Sequence, residues 1–356
     1  MDARAFGPDS NGEAVAMDSI VRQPPRERGQ LFEAAEAKHA HRIIAPIIEK
    51  DFWVCWTLHR LFDVLQFRPQ LIFKGGTSLS KVFKAIERFS EDVDLSLSRH
   101  DLDCTGDHDP EQSGISNKEK RRRLENLTAK CQRSIRDHLL PILQQDFTSI
   151  LGKSDWTLEL DSNDPQTLIF AYPASSSSPV PSYIRPAIRL EMGARSDDWP
   201  SVNAEIRSYA AESFPDVFKL QTCKVRTLAV ERTFWEKATL LHAEYYRPQD
   251  KPSNERLSRH YYDLYGLSRK GFADKALAEM NLLKRVVQHK TLFFSQKWAN
   301  YDIAKQGTFH LLPPEPRISD LRKDYAAMSA MIFGEAPAWE DIIQELGLLE
   351  KRINKP

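Results

Sequence analysis

Leu71-Ile72-Phe73-Lys74-Gly75-Gly76-Thr77-Ser78-Leu79, continued by Phe89-Ser90-Glu91-Asp92-Val93-Asp94-Leu95-Ser96-Leu97, is the stretch that decides the fold. An apolar run from Leu71 to Phe73 meets a Gly-Gly pair. A helical spacing then follows through Leu79, Val82, Phe83 and Ile86. This is a strand–turn–helix with small residues where the backbone must come close to something. Asp92 and Asp94 then alternate with Val93, Leu95 and Leu97, so strand period two puts both carboxylates on one face. Two acids about 6–7 Å apart along a strand repel unless a cation offsets them, and a hard divalent ion such as Mg²⁺ suits them. An isolated D-x-D also reads as a solvated edge strand. The Gly-Gly turn ahead of it, with backbone N–H groups suited to phosphate, favours a metal-bound nucleoside triphosphate.

The chain has 356 residues, room for one large or two modest domains. Lys plus Arg equals Asp plus Glu at 50 each, so any argument for nucleic acid must come from local patches. Cys55, Cys104, Cys131 and Cys223 are scattered without C-x-x-C pairing. Neither a zinc site nor a disulfide framework follows, and a reducing cytosol fits. No apolar run approaches the roughly 18–20 residues of a membrane span, and residues 1–29 lack a signal-peptide core. The expectation is a cytoplasmic protein without membrane contact.

Residues 1–29, with Pro24-Pro25 and few large apolar groups, read as a flexible leader. From Gln30 to about Phe67 the spacing is helical, with Pro46 dividing two helices. Phe52, Trp53, Trp56, Leu58 and Leu61 make the second apolar enough to be core. Residues 99–117 read as a polar loop whose aspartates do not match EF-hand spacing. Lys118-Glu119-Lys120-Arg121-Arg122-Arg123 opens a helix, and its cations are either a solvated face or a seat for RNA phosphates. Strand-like runs follow at 156–160, 167–172 and 183–193. Glu191 stands on the last, where a salt bridge with Arg189 or Arg195 is the plain reading. A short strand over 225–229 enters a helix over 230–246, in which Phe234, Ala238 and Leu241 share one stripe and Lys237 lies beside it. Lysine offers a triphosphate a mobile point charge, although from this helix alone a pairing with Glu236 or another surface acid is simpler. Arg259 and Asp263 are i, i+4 on a further helix, and the remainder to Pro356 is largely helical.

Several of these segments together resemble one family. Gly75-Gly76-Thr77-Ser78-Leu79, then Arg88-Phe89-Ser90-Glu91-Asp92-Val93-Asp94-Leu95, then Glu231 to Ala238 and Arg259 to Leu267, are similar to the signature of the AbiEii/AbiGii nucleotidyltransferases. These are the toxin halves of type IV toxin–antitoxin and abortive-infection systems, within the DNA polymerase β-like superfamily. The resemblance implies an α+β fold. A polymerase β-like core with a mixed sheet flanked by helices would span 30–228, and a mainly helical C-terminal domain over 229–356 would complete the nucleotide site.

It also implies a nucleotidyltransferase with NTP as co-substrate and two Mg²⁺ ions. Asp92, Asp94 and Glu191 would be metal ligands and catalytic, with Lys237 and Asp263 as further catalytic residues. Lys74, Gly75, Gly76, Thr77, Ser78, Ser90, Lys237 and Arg259 would bind the nucleotide, Ser90 sharing the carboxylate face if the strand has begun there. The NMP would pass to an RNA acceptor, the tRNA 3′ end, and block translation. A cognate antitoxin protein would be a partner. Two rival classes stand beside this: a phosphotransferase on the same fold acting on a protein or small molecule, and a non-catalytic nucleotide- or RNA-binding partner of an antitoxin. A P-loop NTPase is not supported, because Gly75 to Lys81 lacks the G-x-x-x-x-G-K-[ST] spacing.

Overall fold

The computed structural model describes residues 17–39, 43–90, 92–153, 155–175, 185–215, 218 and 222–355. They divide into two compact units. The described residues of Met1–Thr77, Glu91–Arg195 and Asn203–Thr227 form one, and those of Ser78–Ser90, Ser196–Val202 and Leu228–Pro356 the other. Residues 78–90 and 196–202 therefore belong with the C-terminal helices and not with the sequence flanking them.

The first unit opens with α1 (Met17–Val21), α2 (Pro25–Lys38) and α3 (Ala45–His59). Residues 17–29 differ from the flexible leader expected of their composition, and residues 1–16 lie outside the described residues. The reason is local. Pro25 sits in the first turn of α2, where a missing N–H costs no helix bond, and α1 buries Met17, Ile20 and Val21. Asp18 accepts a hydrogen bond from the Trp56 indole at 2.8 Å. Pro46 likewise stands in the first turn of α3. That helix is buried from Ala45 to Leu58 because it is apolar nearly all round. Trp53 and Trp56 meet edge to face at 5.5 Å, and Trp56 packs on Phe147 at 4.6 Å, so the tryptophans are core.

The chain continues through β1 (Leu71–Lys74), α4 (Gly75–Lys81), β2 (Asp92–Leu97), α5 (Asn117–Ser134), α6 (Leu140–Leu151), β3 (Thr157–Leu160), β4 (Thr167–Ala171), β5 (Ala187–Gly193), β6 (Ser201–Ile206), α7 (Tyr209–Ser213) and β7 (Cys223–Leu228). The strands order as β3-β4-β5-β2-β1-β7-β6. β2 runs antiparallel to β1 and parallel to β5, and β1 runs parallel to β7, so the sheet is mixed. An α+β fold with a mixed sheet and flanking helices is what the chain adopts. Tyr183 and Ile184, read as the start of a strand, lie outside the described residues. α4 is shorter than its spacing suggested: it ends at Lys81, and Lys84 takes a positive φ of 50°. β6 was not among the strands expected: Val202, Ala204 and Ile206 alternate with Asn203 and Glu205, but the strand is short and Val202, Asn203 and Glu205 are all exposed.

The second unit is helical, with α8 (Val230–Tyr245), α9 (Ser258–Arg269), α10 (Phe272–Ala278), α11 (Met280–Phe293), α12 (Ile318–Met328) and α13 (Trp339–Asn354). Phe234, Ala238 and Leu241 are fully buried in its core with Leu264, Val286 and Leu346, as the α8 stripe requires. Residues 85–89 thread through this unit. The Phe89 amide donates to the Met331 carbonyl at 2.8 Å and the Phe333 amide to the Glu87 carbonyl at 2.7 Å. Gly266 allows the passage, because a Cβ there would lie 2.7 Å from the Ala85 carbonyl oxygen. No helix among the described residues is long and apolar enough to cross a membrane, and all four cysteines are buried free thiols.

Candidate active site

In the sheet unit, register sets the geometry. Lys74, Asp94, Glu191 and Thr167 occupy one row across four strands, and Asp92 and Arg189 pair in the next row but one. Alternation along each strand puts Asp92, Asp94, Arg189 and Glu191 on one face, while Val93, Leu95, Leu190 and Met192 are buried on the other. Lys74 Nζ lies 4.0 Å from Asp94 Oδ1. Arg189 Nε lies 3.5 Å from Glu191 Oε1 and 3.9 Å from Asp92 Oδ1, and Arg189 Nη1 reaches Asp161 at 2.8 Å. Burial, and then the Asp92 and Asp94 charges, push the Glu191 carboxyl above its ordinary range despite Arg189. Three carboxylates are therefore crowded on this face. No three His, Cys, Asp or Glu side chains among the described residues are arranged as a ready cage for a metal ion. The donor set nonetheless consists of carboxylate oxygens from neighbouring positions, which suits a hard divalent cation.

Gly75 takes a φ of +78°, a conformation that L side chains rarely adopt, and the Asp94 carboxylate occupies the space beside it. Thr77 donates its hydroxyl to the Asp92 carbonyl at 2.7 Å, fastening the glycine turn to the first residue of β2. Thr77 and Ser78 are both buried. Lys74 and Gly75 are the partly exposed residues of the turn. Ser90 precedes the strand, which begins at Asp92, so strand alternation does not place its side chain on the carboxylate face.

In the helical unit, Lys237 of α8 and Asp263 of α9 form an ion pair of 2.8 Å. Asp263 is fully buried. Arg88 grips both its oxygens, through Nε at 2.7 Å and Nη2 at 2.9 Å. Burial alone would favour the neutral acid, but Arg88 and Lys237 hold the Asp263 carboxyl well below the usual range. His260 Nδ1 lies 3.3 Å from Lys237 Nζ. Enclosure by protein, then the Lys237 charge, keep the His260 ring neutral by lowering its pKa well below the ordinary value. The ring therefore accepts from the ammonium.

The model of the AbiEii family, described as nucleotidyl transferase AbiEii toxin of a type IV toxin–antitoxin system, matches residues 56–345. The chain belongs to that family. It is a nucleotidyltransferase toxin by descent, and the carboxylate row and the Lys237–Asp263 pair both lie inside the matched span. Among solved structures, MenT4, a nucleotidyltransferase toxin from Mycobacterium tuberculosis H37Rv, is similar over 84% of this chain and 98% of its own, at 14% identity and a TM-score of 0.38. No curated protein matches.

For this AbiEii chain, the structure brings Asp92, Asp94 and Glu191 together in one unit, and Lys237 with Asp263 in the other. The salt bridge of Glu191 with Arg189 is present as well, so the carboxylate has a counter-ion in this state. Arg195 turns instead to the Thr128 hydroxyl at 3.3 Å. Asp263 spends its oxygens on Arg88 and Lys237, not on Arg259. Glu236, the simpler partner for Lys237, pairs with Arg232 at 3.1 Å. Arg88 was the residue missed. It opens the Arg-Phe-Ser-Glu-Asp string, but nothing local reveals a partner in α9.

Proposed function

We propose that the protein transfers a nucleoside monophosphate from an Mg²⁺–NTP complex to the 3′ end of an RNA, with tRNA as the acceptor. The observation that carries this reading is the pairing of Asp94 with Glu191 across β2 and β5, with Asp92 on the same face and Gly75 beside it. Three acids crowded enough to raise one pKa favour a divalent cation as counter-ion, displacing Arg189 from that role. Asp92, Asp94 and Glu191 would hold it, and the family resemblance implies two such ions. When bound, Mg²⁺ would offset charge on the phosphates and make an attacking hydroxyl more acidic.

The chain's own residues do the rest. Lys74 and the Gly75 backbone would approach the phosphates, and a side chain at 75 would displace Asp94. Thr77 holds the turn against β2. Lys237, oriented by Asp263 and His260, is the helical unit's own cation for polyphosphate. Catalysis of this kind is mostly positioning and electrostatics. In situ, a cognate antitoxin would oppose the toxin's effect.

Parallel incubations with total tRNA, Mg²⁺ and NTP labelled at either the α- or the γ-phosphate test the reading. Label from the α-position alone supports nucleotidyl transfer. Label from the γ-position alone replaces it with phosphotransfer.

A further inference from the structure

We propose that Arg88 is a positioning residue: by gripping both oxygens of the buried Asp263, it leaves the Lys237 ammonium available to a polyphosphate. The inference rests on the role given to Lys237 above and adds what makes that role possible.

A lysine paired with one buried aspartate is a neutral couple, and its charge is largely spent. Here a second cation, Arg88, addresses the same acid. The geometry divides the acid unequally. Arg88 takes both oxygens with the planar fork of its guanidinium, and Lys237 takes Oδ2 alone. Of the three ammonium protons, one goes to Asp263 and one to the neutral His260 ring. The third has no partner among the described residues, and the Lys237 side chain keeps about a tenth of its surface exposed. An unspent ammonium donor at the surface of a buried cluster suits an anionic oxygen.

Arg88 is also placed independently of Asp263. Its neighbours are tied by backbone bonds, Phe89 to Met331 and Phe333 to Glu87, and its Nη1 donates to the Phe89 carbonyl at 3.2 Å. Loss of the guanidinium therefore leaves the segment anchored while Asp263 turns wholly to Lys237.

The test uses the full chain as Arg88→Gln, Arg88→Lys, Lys237→Gln and the Arg88→Gln/Lys237→Gln double variant. Equilibrium dialysis reads the affinity for Mg²⁺–ATP, transfer assays read KM and kcat, and melting curves check the fold. Arg88→Gln should weaken ATP binding about tenfold, the scale of one lost charge at a partly buried site, with a smaller effect on kcat. Arg88→Lys, which keeps the charge, should recover most of it. Arg88→Gln should add little once Lys237 is gone. Equal losses in the Gln and Lys variants, or additive losses in the double variant, would overturn the proposal and leave Arg88 a structural residue. Wild-type affinity in Arg88→Gln beside impaired Lys237→Gln would sink the Arg88 inference alone. Wild-type affinity in Lys237→Gln would instead remove the reading on which it rests.

Discussion

The Asp94 carboxylate lies where the β-carbon of any residue other than glycine at position 75 would have to sit. A Cβ built there overlaps the carboxylate, with the Asp94 Cγ only 2.6 Å away, and φ is +78°. The turn after β1 and the acid on β2 therefore define one another. Each explains the other's side-chain choice.

Gly75→Ala should accordingly damage the site twice, through the positive φ, which costs about 1–2 kcal/mol, and through displacement of Asp94. A shift of about 1 Å in a reacting group can cost on the order of 100-fold in rate. Transfer activity should fall by at least about that factor, with a fall of a few degrees in melting temperature. An alanine variant of wild-type activity would mean that the observed Gly75–Asp94 approach is not the working one.

Glu191 should trade stability for function. Its folded pKa is raised, so the folded state binds more protons than the unfolded state between the ordinary and raised values. Stability contributed near this group is therefore present at low pH and lost as pH rises through that window. Glu191→Gln, neutral at every pH, should hold or raise the melting temperature at pH 7 while activity falls on the order of 100-fold. In the wild type the acid limb of the pH–activity profile should lie above the ordinary carboxylate range and move down with added Mg²⁺. A limb insensitive to Mg²⁺ would dissociate Glu191 from the metal.

Asp263 carries the opposite sign. Its folded pKa is depressed by Arg88 and Lys237, so its contribution is present above the ordinary aspartate value and is lost only as pH falls through the depressed one. The ion pairs should survive at pH 4.5. Asp263→Asn leaves two buried cations without their acid and should cost about 3–5 kcal/mol, read by denaturant melts. A loss under about 1 kcal/mol would show the cluster to be far more solvated than its burial implies.

The basic run on α5 divides in the structure. Arg121 and Arg122 are exposed and pair along the helix with Glu125 and Glu119. Arg123 is tucked in, bonded to Glu119, Gln112 and the Asp109 carbonyl. If this surface meets RNA, reversing Arg121 and Arg122 should weaken binding and reduce the salt slope by about one to two. Reversing Arg123 should mainly destabilise the fold. An unchanged salt slope in the first pair would take α5 out of the acceptor path.

Much of the carboxylate site was legible because its residues are close in sequence or obey strand period two. Leu71 to Leu97 encodes the strand, the glycine turn and the acids, and Glu191 falls on a strand of plain alternation. What stayed hidden depends on contacts over long chain separations. Arg88 and Asp263 are 175 residues apart. The burial of Thr77 and Ser78 follows from packing that a turn motif does not record. β6 alternates but is short and mostly exposed, and α1, only five residues long, is fastened by the Asp18–Trp56 hydrogen bond across 38 positions. Residues 78–90 lie in sequence between two strands of the sheet, whereas Leu79, Ala85 and Ile86 pack with the C-terminal helices.

The most direct measurement incubates the purified protein with total tRNA, Mg²⁺ and each of the four α-³²P-labelled NTPs in turn, beside Asp94→Asn. Label incorporated into tRNA by the wild type and absent from the variant is the predicted result, and it would name the nucleotide and acceptor together. Label that persists undiminished in Asp94→Asn would contradict the account, because transfer would then not depend on the carboxylate row.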